Sequence, residues 1–153
     1  MIRFEKATLE SVDAVLALMP LYYEFDHLDF DATVARRSVG ELVARPDLGQ
    51  LWLIVDSLGN GGSGRLIGYM AIVYIHSLEF GGKTALIDEL FLLEEFRGKG
   101  AGSLAIAHGI SECQKTGVNV VQLEVTPSNS KALRLYQKLG FKDVGRTLLT
   151  YRS

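Results

Sequence analysis

Arg97 to Ser103 reads R-G-K-G-A-G-S and follows directly on the apolar run Leu86 to Leu93. A buried-looking strand ends, a short polar turn follows, and three glycines open a helix. Gly98, Gly100 and Gly102 lack a Cβ, so the backbone there can take positive φ and let a ligand come close. The first amides of a helix have no partner within it and carry the positive end of its dipole. A glycine-rich helix entry is therefore an anion site, usually for phosphate. Arg97 and Lys99 add positive charge to it. The string G-x-x-x-x-G-K-[ST] of a phosphate-binding loop does not occur. The dinucleotide pattern G-x-G-x-x-G/A fits Gly100, Gly102 and Ala105. That fingerprint belongs at the first strand-to-helix turn of its fold, whereas here it lies two-thirds along the chain.

A second stretch bears on the choice. Leu123 to Phe141 reads L-E-V-T-P-S-N-S-K-A-L-R-L-Y-Q-K-L-G-F. R-G-K-G-A-G resembles the [QR]-x-x-G-x-[GA] coenzyme A pyrophosphate loop of the GNAT N-acetyltransferase superfamily. I-D-E-L-F-L-L before it resembles that family's fourth strand. The later stretch is similar to its other marker, a strand followed by N-x-x-A-x-x-L-Y-x-K-x-G-F. The resemblance covers about Leu86 to Phe141, and the first half of the chain matches only in its order of elements. Glu94-Glu95 departs from the more frequent Asp-Pro turn and puts negative charge near the proposed phosphate site.

The resemblance implies an acetyl-CoA-dependent N-acetyltransferase acting on a primary amine; the scattered His27, His76 and His108 form no metal-ligand spacing, so no metal is expected. Such chemistry needs a neutral amine, although a free alkylamine has a pKa near about 10. It also needs a stabilised thioester oxygen and a proton for the departing thiolate. Glu89 is the candidate base. It stands mid-strand among Leu86, Ile87, Leu90 and Phe91, where a carboxylate is costly to bury without purpose. Asp88 faces the opposite side if the strand is regular. The family's strand carries a bulge here, so Asp88 stays an alternative base and a candidate acceptor contact. A pairing role for either carboxylate with Arg or backbone is the bland reading.

By the same resemblance, main-chain groups of Leu90, Phe91 and Leu92 bond the pantetheine arm. Arg97, Gly98, Lys99, Gly100, Ala101, Gly102 and Ser103 hold the pyrophosphate, Asn129 contacts the coenzyme, and Tyr136 protonates the thiolate. Asn129 and Tyr136 are seven residues apart, two helical turns, so both lie on nearly one face. A core aromatic is the alternative for Tyr136.

Tyr22 to Asp31, Y-Y-E-F-D-H-L-D-F-D, mixes aromatics with four acidic residues. It reads either as a solvated loop with capping aspartates or as an acidic, aromatic-lined mouth for a cationic amine. In the second reading Tyr22, Tyr23 and Asp26 contact the acceptor, which is small and cationic. A peptide or protein acceptor, a non-catalytic acyl-CoA sensor and a dinucleotide enzyme are the competing functions.

The 153 residues suffice for one domain, residues 1–153, with a proper core. Hydrophobic residues make up 48% and charged residues 22%, a globular balance. A net charge of −2 gives no basic field for nucleic acid. The lone Cys113 allows no internal disulfide, and the N-terminus shows no apolar signal core. The longest apolar run, Leu66 to Ile75, is too short to span a membrane. The expectation is a cytoplasmic protein; family members are often dimers, so a homodimer is allowed by analogy.

Periodicity places a strand over Ile2 to Lys6 and a helix from about Leu9 that Pro20 bends or ends. A second helix runs from about Ala32 to Ala44, with Arg36, Arg37 and Arg45 in solvent. Strands follow over Leu51 to Val55 and Leu66 to Ile75, joined by the glycine-rich hairpin loop Asp56 to Arg65. A helix from about Gly100 to Lys115 turns Leu104, Ile106, Ala107, Ile110 and Cys113 toward the sheet. A strand Val120 to Val125, a helix from about Ser130 to Leu139, and a final strand pair, Phe141 to Val144 with Thr147 to Arg152, complete the chain. The fold class is α/β (α+β): a mixed, mostly antiparallel sheet of six to seven strands with one parallel crossover and about four helices.

Overall fold

The computed structural model describes residues 1–57 and 64–153. The tip of the glycine-rich hairpin loop lies outside the described residues. The elements are β1 (Ile2–Lys6), α1 (Val12–Phe25), α2 (Ala32–Ala44), β2 (Gly49–Asp56), β3 (Arg65–Ser77), β4 (Gly82–Leu92), α3 (Ala101–Lys115), β5 (Val121–Leu123) and α4 (Ser130–Lys138). The five strands pair in chain order. The first four run antiparallel, and β5 joins β4 in parallel through the α3 crossover.

The sheet is apolar on both faces because helices cover both. Leu51, Leu53, Val55, Tyr69, Ala71 and Phe91 pack under α1 and α2. Trp52, Ile54, Met70, Ile72, Ala85 and Ile87 pack on the other side, with Ala105, Ile106 and Cys113 of α3. Strand alternation sends neighbours to opposite faces, so β2 is buried along nearly its whole length.

The helices follow the expected capping chemistry with two corrections. Asp31 caps α2, accepting from the Thr33 and Val34 amides at 2.9 and 3.0 Å. Pro20 does not end α1, which continues to Phe25. On α3 the buried stripe is Ala101, Ala105, Ile106, Gly109 and Cys113, while Ala107 is exposed and Leu104 is 53% exposed. The helix presents its small residues to the sheet: a Cβ on Gly109 would lie 2.8 Å from Met70 Cε.

The largest correction concerns the C-terminus. No strand forms over residues 141–153, so the described sheet has five strands rather than six to seven. Leu148, Leu149 and Tyr151 are exposed. Arg146 holds this segment to the β3–β4 turn through two bonds to Glu79, at 2.7 and 2.9 Å. The β5 ladder is also short, three pairs instead of the expected six-residue strand.

Candidate active site

Two hollows meet the C-terminal half of β4, one on the α1–α2 face of the sheet and one along the strand's open edge. One irregularity in that strand shapes both. Ile72 pairs with Ile87 and Ala71 with Glu89, so Asp88 is the extra residue of a β-bulge. Before it, Ala85 and Ile87 face α3; beyond it, Leu90 and Leu92 do. Asp88 and Glu89 consequently share the α1–α2 face, correcting the expectation of opposite faces for a regular strand. Both line one cavity. The pairing of β4 with β5 also stops at Ile87, next to the bulge.

The first hollow, of about 230 Å³, is bounded by Tyr23 and Met19 of α1, Asp29, Asp31, Val39 and Leu42 of the α2 region, Leu51, Tyr69, and the two carboxylates. Glu89 accepts from the Tyr23 hydroxyl on Oε1 at 2.8 Å and from the Tyr69 hydroxyl on Oε2 at 2.7 Å. Burial raises the Glu89 pKa, and the two tyrosine hydrogen bonds oppose that rise. The neighbouring charges Asp88 and Asp26 raise it further. Asp88 is solvent-accessible at the cavity wall, yet the crowding protein strips enough water to lift its carboxyl as well. Burial holds the hydroxyls of Tyr22, Tyr23 and Tyr69 above the ordinary phenol range, so all three are donors.

Tyr69 escaped the sequence reading. Its ring is 1% exposed in the middle of β3. The available signal was a tyrosine in an otherwise apolar buried strand, because a buried hydroxyl needs a partner. The acidic segment divides in two. Asp29 and Asp31 reach the cavity, whereas Asp26 bonds Tyr22 at 3.5 Å and Tyr22 lines the other hollow.

The second hollow, of about 480 Å³, runs along the edge of β4 that β5 leaves open. Leu90, Phe91, Leu92, Arg97, Gly98, Gly100, Gly102, Ser103, Asn129 and Tyr136 all line it, with Phe25 and Lys131 besides. The Leu93 amide bonds Ile67 O on β3, so alternation turns the main chain of Leu90 and Leu92 toward the groove and that of Phe91 toward β3. Gly98 and Gly100 sit at φ +72° and +87° at the entry of α3, conformations that favour glycine.

Lys99 and Ala101 of the glycine loop do not line the groove; Ala101 is buried, and Lys99 approaches the Phe96 ring. The Arg97 guanidinium lies 4.5 Å from the Phe25 ring centre and 5.5 Å from that of Phe91, while Nε donates to Leu92 O at 2.8 Å. It clasps the groove wall instead of standing free in the glycine loop. The cation beside that loop is Lys131, whose Nζ is 3.8 Å from where a Gly98 Cβ would be. Asn129 caps α4, accepting from the Ala132 amide at 3.2 Å. Burial raises the Tyr136 hydroxyl, which remains a proton donor.

A sequence model of the acetyltransferase (GNAT) family matches residues 14–141. The chain belongs to the GNAT acetyltransferase family. It is 36% identical over 61 residues to an uncharacterized N-acetyltransferase of Methanocaldococcus jannaschii, covering 40% of this chain and 27% of that protein. It is 25% identical over 91 residues to the mouse thialysine N-epsilon-acetyltransferase, covering 60% and 53% of the two chains. A third relative is the Escherichia coli [ribosomal protein bS18]-alanine N-acetyltransferase, 39% identical over 49 residues and matched over 32% and 33%. The chain thus spans about half or less of the length of these curated relatives.

Among solved structures, an integron cassette protein from the Cole Harbour salt marsh metagenome superposes with a TM-score of 0.82. It has 28% identity, over 97% of this chain and 89% of that one. A predicted acetyltransferase with acetyl-CoA from Clostridium acetobutylicum superposes at 0.79 with 15% identity, over 99% and 96%, a likeness of fold. No helix of the described residues is long and apolar enough to cross a membrane. No group of three or more His, Cys, Asp or Glu among them is placed to hold a metal.

Proposed function

We propose that this GNAT protein transfers an acetyl group from acetyl-CoA to the primary amine of a small cationic acceptor. The observation that carries the reading is the placement of a half-buried, tyrosine-bound carboxylate, Glu89, in an acidic cavity one residue along β4 from Leu90, which lines a groove opened by a parted strand pair. The groove fits a coenzyme arm. Leu90 and Leu92 offer main-chain groups along its open edge, and the first amides of α3 with Lys131 suit a diphosphate.

In this reading Glu89 takes the proton that keeps the amine from attacking. The freed lone pair attacks the thioester carbon, a strand-edge amide of Leu90 or Leu92 supports the oxyanion, and the C–S bond breaks on collapse. Tyr136 gives its hydroxyl proton to the thiolate, and the second proton, shed by the acylated nitrogen as the neutral amide forms, passes through water to restore the Tyr136 phenol. Asp29, Asp31 and Asp88 draw a cation into a cavity whose remaining wall, Val15, Met19, Val39 and Leu42, suits a slender apolar body. The thialysine relative is named for a small amine and the bS18 relative for a protein alanine. The four carboxylates lining one recess favour the small cation. A dimer and a cytoplasmic setting accord with the family analogy.

The test is an acceptor panel assayed with acetyl-CoA by thiol release, with Glu89→Gln alongside. Thiol release that depends on a small amine and on Glu89 supports the reading. Coenzyme binding without release by any amine or peptide overturns it in favour of an acyl-CoA sensor.

A further inference from the structure

The two hydroxyls that bond Glu89 are not equivalent. Tyr69 rises from the centre of β3 and is closed in by the core, whereas Tyr23 sits on the last turns of α1, half-buried. Its ring is held edge-on by Tyr22 at 5.5 Å and by Phe30 at 5.4 Å. The Tyr23 hydrogen is committed to Glu89 Oε1 at 2.8 Å. Among the described residues no donor bonds the Tyr23 oxygen in turn, so its lone pairs are available to a guest in the cavity that Tyr23 lines.

We propose that Tyr23 relays the acceptor's proton to Glu89, and that Tyr69 is a positioning residue that holds the opposite carboxylate oxygen. This rests on the acetyltransferase reading of the site. The ammonium of the acceptor donates to the Tyr23 oxygen. Its N–H bond breaks as an O–H bond forms there, and the proton originally on Tyr23 passes to Glu89 Oε1. The amine ends neutral with its lone pair free, Tyr23 ends as the phenol it began as, and Glu89 ends protonated. The carboxyl proton returns to solvent by the reverse path after the product leaves. Tyr23 never has to exist as a phenolate, which accords with burial making phenolate costly there. Tyr69 fixes the rotation of the carboxylate, so that Oε1 and no other lone pair meets Tyr23.

The test compares Tyr23→Phe and Tyr69→Phe, each of which keeps the ring and loses one oxygen. They are assayed with an ordinary alkylamine and with a weakly basic amine of similar shape that is already neutral at pH 7. Relay predicts that Tyr23→Phe loses about 10²-fold in kcat/KM with the alkylamine, recovers most of that with the weakly basic amine, and gains activity as pH rises toward the amine's own pKa. Tyr69→Phe should lose less, show no preference for the weak base, and shift the rising limb of its pH profile upward.

Equal losses of Tyr23→Phe with both amines, or no loss at all while Glu89→Gln is inactive, overturn the relay and leave the acetyltransferase reading standing. Wild-type activity that is indifferent to Glu89→Gln overturns the base assignment and the relay together. Retained acetyl-CoA binding and an unchanged melting temperature show that both phenylalanine variants are folded. Should Tyr23→Phe fail that check, the same amine comparison on Tyr22→Phe/Tyr69→Phe decides: a weak-base preference appearing there removes Tyr23's special role.

Discussion

The cavity around Glu89 and the groove beside Leu90 and Leu92 are cut into the same strand, but they are built from different parts of the chain. The cavity is made of side chains: two tyrosine hydroxyls and Asp88 around Glu89, with aspartates at the rim. The groove is made chiefly of main chain: the open edge of Leu90 and Leu92, two glycines at positive φ, and unpaired amides at the start of α3. Side chains can be exchanged one at a time, so what a cavity of this kind accepts is free to drift. A backbone site tolerates almost any side chain and fails only where backbone geometry is lost.

The sharpest test of that contrast is Glu89→Gln, expected to lower kcat by about 10²–10⁴-fold while acetyl-CoA titrations stay near wild type. Equal losses in both would merge the two sites into one. Tyr136→Phe comes next, with a kcat loss of about 10–100-fold and unchanged coenzyme affinity, measured by single-turnover thiol release. Gly100→Val tests the groove from the backbone side. No atom lies within 4 Å of the added Cβ, so the whole penalty is the φ of +87°. That penalty is about 1–2 kcal/mol, and KM for acetyl-CoA should rise roughly tenfold with the acceptor KM unaffected.

The smallest effect belongs to a region that serves neither site. His108 stacks on Phe4 at 4.4 Å and meets the Trp52 ring edge-on, with Nε2 buried and unpartnered among the described residues. Burial lowers its pKa, so the folded protein binds this proton less well than the unfolded chain. Its contribution to stability is therefore present at neutral pH, begins to fall as pH drops below the unfolded value of about 6.5, and is fully lost only below the lower folded value. His108→Phe should flatten that part of the melting-temperature profile and leave both KM values alone.

How much of this was legible follows the same division. The glycine loop and Glu89 stood out by residue type and position, Asn129 and Tyr136 through the resemblance; the fold sets the loop, Asn129 and Tyr136 along one groove and Glu89 in the neighbouring cavity. Tyr69 was not, since it meets Glu89 across strands 20 residues apart and periodicity says only that a residue is buried. Lys131 was missed for a related reason: its position beside Gly98 depends on how α4 docks against the loop. Phe141 to Arg152 has strand-like composition, but composition supplies no partner, and the described chain leaves that segment unpaired. The cavity wall, shared by Asp88 and Glu89, hung on one bulge that apolar alternation alone does not locate.

Asp88 is a supernumerary residue in an otherwise regular ribbon. Deleting it would leave every apolar side chain of β4 on its present face, since Ile87, Leu90 and Leu92 already fall into step without it. The shortened strand would lose its kink and could zip to its parallel neighbour for several pairs more. A sturdier sheet would result, with the groove beside Leu90 and Leu92 closed: the chain spends cohesion at this one point to keep a slot ajar.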